Sequence, residues 1–180
     1  MLSPYSGPLA WAVGDCTTVA SSSAATSLLT AAAASGKWAM PGGFFTYVGQ
    51  MIRVRAAGRL STASSAGTLI FTFVIGAVAV ATSPTFSSQN SQTNLTWTLD
   101  WVLTLRAVGD GTLANFMHTG NFVSQLVSST NLNNLIPTTA PAVGTGFNSS
   151  VGATVDLQSQ WGNANANSIL LSQYMLESLN

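Results

Sequence analysis

Charge is what this sequence has least of. Only ten of its 180 residues are Asp, Glu, Lys or Arg, five of each sign, so the formal net charge at neutral pH is zero. An ordinary soluble domain is about 25% charged; here the figure is 6%. Nucleic-acid binding through phosphate neutralisation needs clustered Lys and Arg, and four arginines with Lys37 do not supply it. A basic helix lying on a membrane is excluded on the same ground. Cysteine is nearly absent too. Cys16 stands alone, which excludes an internal disulfide and a four-cysteine zinc site; it reads as a small, half-buried apolar residue. A long hydrophobic run is also missing: the longest, residues 68–81, falls short of the ~20 residues of a membrane helix. The opening residues carry no early Lys or Arg, so no export signal is expected.

Neutral polarity replaces charge. Ser, Thr, Asn and Gln number 63 of the 180 residues, while 47% of the chain is hydrophobic and 16 residues are aromatic. That apolar content can bury a core, which argues against intrinsic disorder. A chain of this length buries roughly 70% of its unfolded surface, enough for one domain without staples.

Residues 1–36 differ from the rest. Pro4, Gly7 and Pro8 are followed by a Ser/Thr/Ala tract in which Val19, Leu28 and Leu29 are the larger apolar anchors. This composition predicts an extended arm or edge segment, 1–36, ordered by contact with another chain and attached to a β domain, 37–180. Beyond a turn cluster at 37–43, residues 51–60 begin by alternating, with Ile52, Val54 and Ala56 on one face and Arg53 and Arg55 on the other. Period two is the strand signature. Residues 68–81 read as one buried strand. The clearest strand is 95–108: Leu95, Trp97, Leu99, Trp101, Leu103 and Leu105 share one face, opposite Thr96, Thr98, Asp100, Val102, Thr104 and Arg106. Residues 113–127 predict a strand interrupted at Gly120, and 131–150 a loop. Residues 151–161 put Val151, Ala153, Val155, Leu157 and Trp161 on one face, and 168–179 form the last strand. Short strands without a convincing helix predict an all-β fold, an antiparallel β-sandwich of jelly-roll type with about eight strands. Trp97, Leu99, Trp101, Leu103, Leu105, Val155 and Leu157 are the expected core.

Catalytic constellations are thin. There is no Gly-x-Ser-x-Gly elbow, and a Ser-His-Asp site would depend on His118, which reads as an ordinary hydrogen-bonded or exposed residue near a strand end. A carboxylate pair for glycoside hydrolysis would have to come from residues such as Asp100 and Asp156, on strand faces that could approach each other. Asp110 lacks the acidic neighbours of a calcium loop, and Gly36-Lys37-Trp38 fails as a phosphate loop. No enzyme activity, cofactor or metal is expected. Arg53, Arg55, Arg59 and Arg106 admit two readings. They pair with Asp100 or Asp156, or they form subunit contacts, where Arg is favoured.

A resemblance sharpens these expectations. Pro41-Gly42-Gly43-Phe44-Phe45, then Val48-Gly49-Gln50-Met51-Ile52-Arg53-Val54-Arg55-Ala56-Ala57-Gly58-Arg59-Leu60-Ser61, resembles a pattern in virion proteins of actinobacterial tailed phages. The likeness continues through Gly67-Thr68-Leu69, Trp97-Thr98-Leu99, Leu103-Thr104-Leu105-Arg106 and Asn167-Ser168-Ile169, and covers about residues 25–180. It rests on strand and turn residues rather than a catalytic signature. It implies a jelly-roll decoration (cement) protein on the outer capsid surface of the virion, made in the host bacterial cytoplasm. Such a protein would be a trimer partnered with the major capsid protein, touching no nucleic acid or membrane. Pro4, Tyr5, Trp11, Arg53, Arg55, Arg59 and Arg106 are the expected subunit or capsid contacts. The alternative is a tail-associated receptor- or carbohydrate-binding head, for which Trp38, Trp161 and residues 163–167 would form the sugar platform.

Overall fold

A strand whose apolar residues fall on every second position can bury one face and keep the other in water. Strand β9, Leu95–Ala107, does this over thirteen residues. Trp97, Leu99, Trp101, Leu103 and Leu105 are all buried, while the alternate residues are half-buried or exposed. The computed structural model describes residues 6–30, 36–127 and 132–180. Among them the fold is entirely β, two antiparallel sheets packed as a β-sandwich. The expected count was about eight strands; the described residues form thirteen, four of them only two or three residues long.

The larger sheet runs in the order β1 (Gly7–Trp11), β13 (Ser168–Ser178), β5 (Met51–Ser61), β9, β10 (Asn115–Ser124) and β11 (Leu132–Ile136), with β2 (Val19–Ala20) also on β13. The smaller runs β3 (Thr26–Ser27), β12 (Ala153–Trp161), β6 (Thr68–Ile75) and β7 (Val78–Thr82). In it β4 (Trp38–Met40) pairs with β12 and β8 (Phe86–Ser87) with β6. Val155, Leu157 and Trp161 of β12 are buried between the sheets. Aromatic rings fill both ends of the core. Phe71, Phe86, Trp97 and Phe122 cluster at one, with Phe86 stacked on Phe122 at 4.7 Å. Phe45, Phe116 and Phe147 cluster at the other, with Phe116 stacked on Phe147 at 5.1 Å.

Several strand expectations are corrected. Residues 68–81 form a hairpin, not one strand, because Gly76 takes a positive φ of 63° and reverses the chain between Ile75 and Val78. Strand β10 passes through Gly120 without interruption. Glycine is needed there because a Cβ would meet the Asp100 carbonyl and the Trp101 ring on the neighbouring strand. Residues 132–136, expected in a loop, pair with β10 as an edge strand. Val151 lies outside β12, in the turn against Gly42, and is exposed.

The amino-terminal segment takes the edge reading of the two expected for it, with the edge on its own sandwich. Residues 7–20 run along β13: Gly7 lies opposite Ser178, Trp11 opposite Met175 and Val19 opposite Ile169. Between those pairings Ala12 and Cys16 donate backbone hydrogen bonds to Tyr174 and Leu171. The chain then crosses to the smaller sheet, where Ser27 lies opposite Gln158 and Met40 opposite Ala153. Ala10, Cys16, Val19, Leu28 and Leu29 are all buried. The described part of the segment is therefore an edge of both sheets of its own sandwich. It finds on its own chain the apolar cover that was expected from a partner.

Candidate functional site

Residues directly opposite each other in an antiparallel pair point to the same face. The register of the larger sheet therefore fixes a continuous outward row. Trp11 lies across from Met175, Met175 from Arg55, Arg55 from Asp100, Asp100 from Asn121, and Asn121 from Leu135. One step along are Gln173, Ala57, Thr98 and Val123; one step the other way are Glu177, Arg53, Val102 and Thr119. All four arginines of the chain belong to the two central strands of this face, three on β5 and Arg106 on β9.

Their environments differ. Arg53 is clamped: its Nε donates to Asp100 Oδ1 at 2.7 Å, its Nη2 bonds Asp100 Oδ2, and its Nη1 lies 4.0 Å from Glu177 Oε1. The paired Arg53 guanidinium holds the Asp100 carboxyl below its ordinary range, and Asp100 in turn raises Arg53. Arg55 reaches only to 3.9 Å from Asp100 Oδ2, and Arg59 to 4.0 Å from Asp15 Oδ2. Arg106 is exposed, with Nη2 3.2 Å from Met117 Sδ. Between Arg55 and Arg59 the small side chain of Ala57 leaves a trough. Arg55, Ala57, Thr98, Asp100, Gln173 and Met175 line a hollow of about 460 Å³. A second of about 380 Å³ continues it past Thr96 and Ser172 to Arg59.

No family model matches the chain, and no curated protein matches it either.

A second surface lies at one end of the sandwich. Gly43 donates to the Ser149 carbonyl, Ser149 to that of Gly109, and Gly49 to that of Leu105, which ties three loops together. From these loops Tyr47, Val48, Val108, Leu113 and Val151 project into solvent, Leu113 at 65% and Val48 at 60% exposure. Strand periodicity carries no signal for this cluster, because its members come from turns far apart in sequence.

The remaining expectations fall as follows. Pro4 and Tyr5 lie outside the described residues. Trp161 is fully buried, so it offers no sugar platform. In 163–167 the asparagine amides are spent on a neighbouring turn, Asn163 and Asn165 donating to the Ser65 carbonyl and Asn167 to that of Ala66; Asn167 is buried, while Ala164, Asn165 and Ala166 are exposed. Trp38 is half-buried against Phe44. Asp156 does not approach Asp100. It sits on the other sheet, buried, accepting from Ser27 Oγ at 2.7 Å and lying 3.2 Å from Lys37 Nζ. Cys16 is buried, which raises its thiol pKa.

His118 lies mid-strand and buried, not at a strand end. Trp101 Nε1 donates to its Nδ1 at 3.1 Å, so the neutral ring carries its proton on Nε2. Burial lowers its pKa from 6.5. In the unfolded chain the ring takes up a proton below that value and in the folded chain it resists, so stability is lost as pH falls below 6.5. Asp100 acts in a separate, lower window: its stabilisation is present above 3.8 and lost as pH falls further. The melting temperature is therefore expected to fall between pH 6.5 and 3.8, and His118→Gln to flatten that slope relative to wild type. An unchanged slope in the variant would show that other groups govern this window.

Proposed function

We propose that this protein is a non-enzymatic virion protein that decorates the outer capsid surface of a tailed phage as a trimer bound to the major capsid protein. The observation that carries the reading is the apolar end formed by Tyr47, Val48, Val108, Leu113 and Val151. Exposed apolar side chains gathered on loops that are bonded to one another favour a contact with another macromolecule. The three loops that present it are cross-linked by backbone hydrogen bonds, so little ordering entropy opposes docking. The near-absence of charge fits the same role, since copies crowded on a lattice repel one another weakly. The resemblance of residues 41–61 to phage virion proteins supports the reading, and the jelly-roll assignment belongs to it as well. Each contact is shallow; repetition over a trimer makes attachment firm through avidity.

The test is quantitative. The protein is expected in purified virions at a copy number on the scale of the capsid lattice rather than the tail, measured by mass spectrometry. Undecorated capsids should co-sediment with wild-type protein but not with the Val48→Asp/Leu113→Asp double variant. A tail-scale copy number, or full binding by the folded variant, would overturn the proposal.

A further inference from the structure

The outer face of the larger sheet calls for its own explanation, because a chain with ten charged residues places seven of them on or beside it: Arg53, Arg55, Arg59, Arg106, Asp100, Glu177 and Asp15. We propose that the trough between Arg55 and Arg59 is a binding site for an acidic saccharide, whose carboxylates are taken by the two arginines. The site is independent of the virion reading above.

Four observations converge. First, Arg53 and Glu177 leave Arg55 outside the tight pair. Asp100 spends both oxygens on Arg53, and among the described residues the guanidinium groups of Arg55 and Arg59 make no hydrogen bond; each stands 3.9–4.0 Å from its nearest carboxylate. A guanidinium carries five donors in a planar fork that matches a carboxylate bidentately. Two such forks are therefore available, and Asp100, held ionised by Arg53, fixes the floor beside them. Second, the two forks are four residues apart on one strand, about 13 Å along it, with Ala57 between. That spacing suits a repeating chain bearing acid groups at intervals better than a single small anion. Third, the surface between the arginines is lined with hydroxyls and amides from Thr96, Thr98, Ser172 and Gln173, together with Asp100. These groups offer both donors and acceptors, as sugar hydroxyls require. Its hollow of about 460 Å³ falls in the range of small-ligand sites, ~300–1,000 Å³. Fourth, Trp11 stands on the same face across from Met175, two strands or about 10 Å from Arg55, and is 49% exposed. An exposed indole at the margin of a polar groove can stack on the apolar face of a sugar ring.

A protein-docking site puts aromatic anchors at the centre and polar groups on the rim; here Trp11 stands on the rim, and hydroxyl, amide and carboxylate groups share the floor with Ala57 and Met175. Nucleic acid is a poorer fit, because Asp100, Glu177 and Asp15 together balance the three β5 arginines and the counterion-release gain along a continuous phosphate backbone is small.

The experiment titrates the full chain by calorimetry and tryptophan fluorescence. The acidic probes are oligogalacturonate, a hyaluronan-derived oligosaccharide and sialyllactose; maltohexaose is the neutral control. At least one acidic probe is expected to bind at least about tenfold more tightly than maltohexaose, weakening as salt is added. Arg55→Ala and Arg59→Ala, both at exposed positions, should each weaken that binding about tenfold with an unchanged melting temperature. Trp11→Ala should abolish the fluorescence response. Failure of all three acidic probes, equal affinity for maltohexaose, or undiminished binding by both folded arginine variants would each overturn the site. None of these results depends on whether the protein is found on capsids.

Discussion

Replacing Trp101 with alanine is expected to lower the stability by about 3–5 kcal/mol, a shift read directly from urea unfolding monitored by circular dichroism. Trp101 is fully buried at the centre of β9, opposite Gly120 on one side and Val54 on the other. Its neighbours cannot close the space. Gly120 has no side chain to move, and a Cβ there would already meet the Trp101 ring. Truncation also strips His118 Nδ1 of its donor, leaving a buried acceptor unpaired, at a cost of about 1–3 kcal/mol. Trp101→Phe separates the two terms, because it keeps most of the ring and loses the N–H; a cost well below that of alanine is expected. An unchanged unfolding midpoint for Trp101→Ala would mean that β9 presents its other face to the core.

Deleting residues 1–30 is expected to abolish cooperative unfolding altogether, as measured by calorimetry and by collapse of the amide NMR dispersion. The described part of this segment buries Ala10, Cys16, Val19, Leu28 and Leu29. Fully burying a Val or Leu contributes about 1.5–3 kcal/mol, and whole domains are stable by only about 5–15 kcal/mol. The deletion also exposes the edges of β13 and β12 by removing β1, β2 and β3. Ser27, a partner of the buried Asp156, leaves with it. Retention of a sharp thermal transition by the truncated chain would show that the remaining strands form a self-sufficient core.

The contrast between β9 and residues 7–30 explains what can be read from the residues alone. Strand β9 is long, and one of its faces is buried along its length, so its pattern repeats often enough to be unmistakable. Residues 7–30 pair in pieces of two to five residues on two different sheets. Their buried anchors fall at 10, 16, 19, 28 and 29, which fits no single period. Strand β11 escapes notice for a related reason: its sequence Leu-Asn-Asn-Leu-Ile has two asparagines, tolerable at a sheet edge but weak as a strand signal. The hairpin of β6 and β7 hides because both are apolar, and Gly76 alone marks the reversal.

The same logic applies to the outer face. That Arg53, Arg55 and Arg59 share a side follows from even spacing along one strand. That Arg53 takes Asp100, while Asp156 belongs to Lys37, depends on which strands are neighbours. Trp11 joins the row only through the pairing of β1 with β13, a contact between opposite ends of the chain for which local pattern carries no information. The apolar end is non-local in the same way, with contributions from residues 47, 113 and 151.

That pairing also orders events in time. Among the described residues, strands β1 to β4 pair with β12 and β13, residues 153–178, and with no other strand. A ribosome makes the chain from its amino terminus at ~5–20 residues per second, so the earliest strands are also the longest without partners. Closing such distant ends carries a loop entropy that local hairpins avoid. The β6–β7 and β9–β10 hairpins have their partners at hand as they emerge, whereas β1 to β4 wait for β12 and β13. The sandwich is thus a structure that its own beginning enters last.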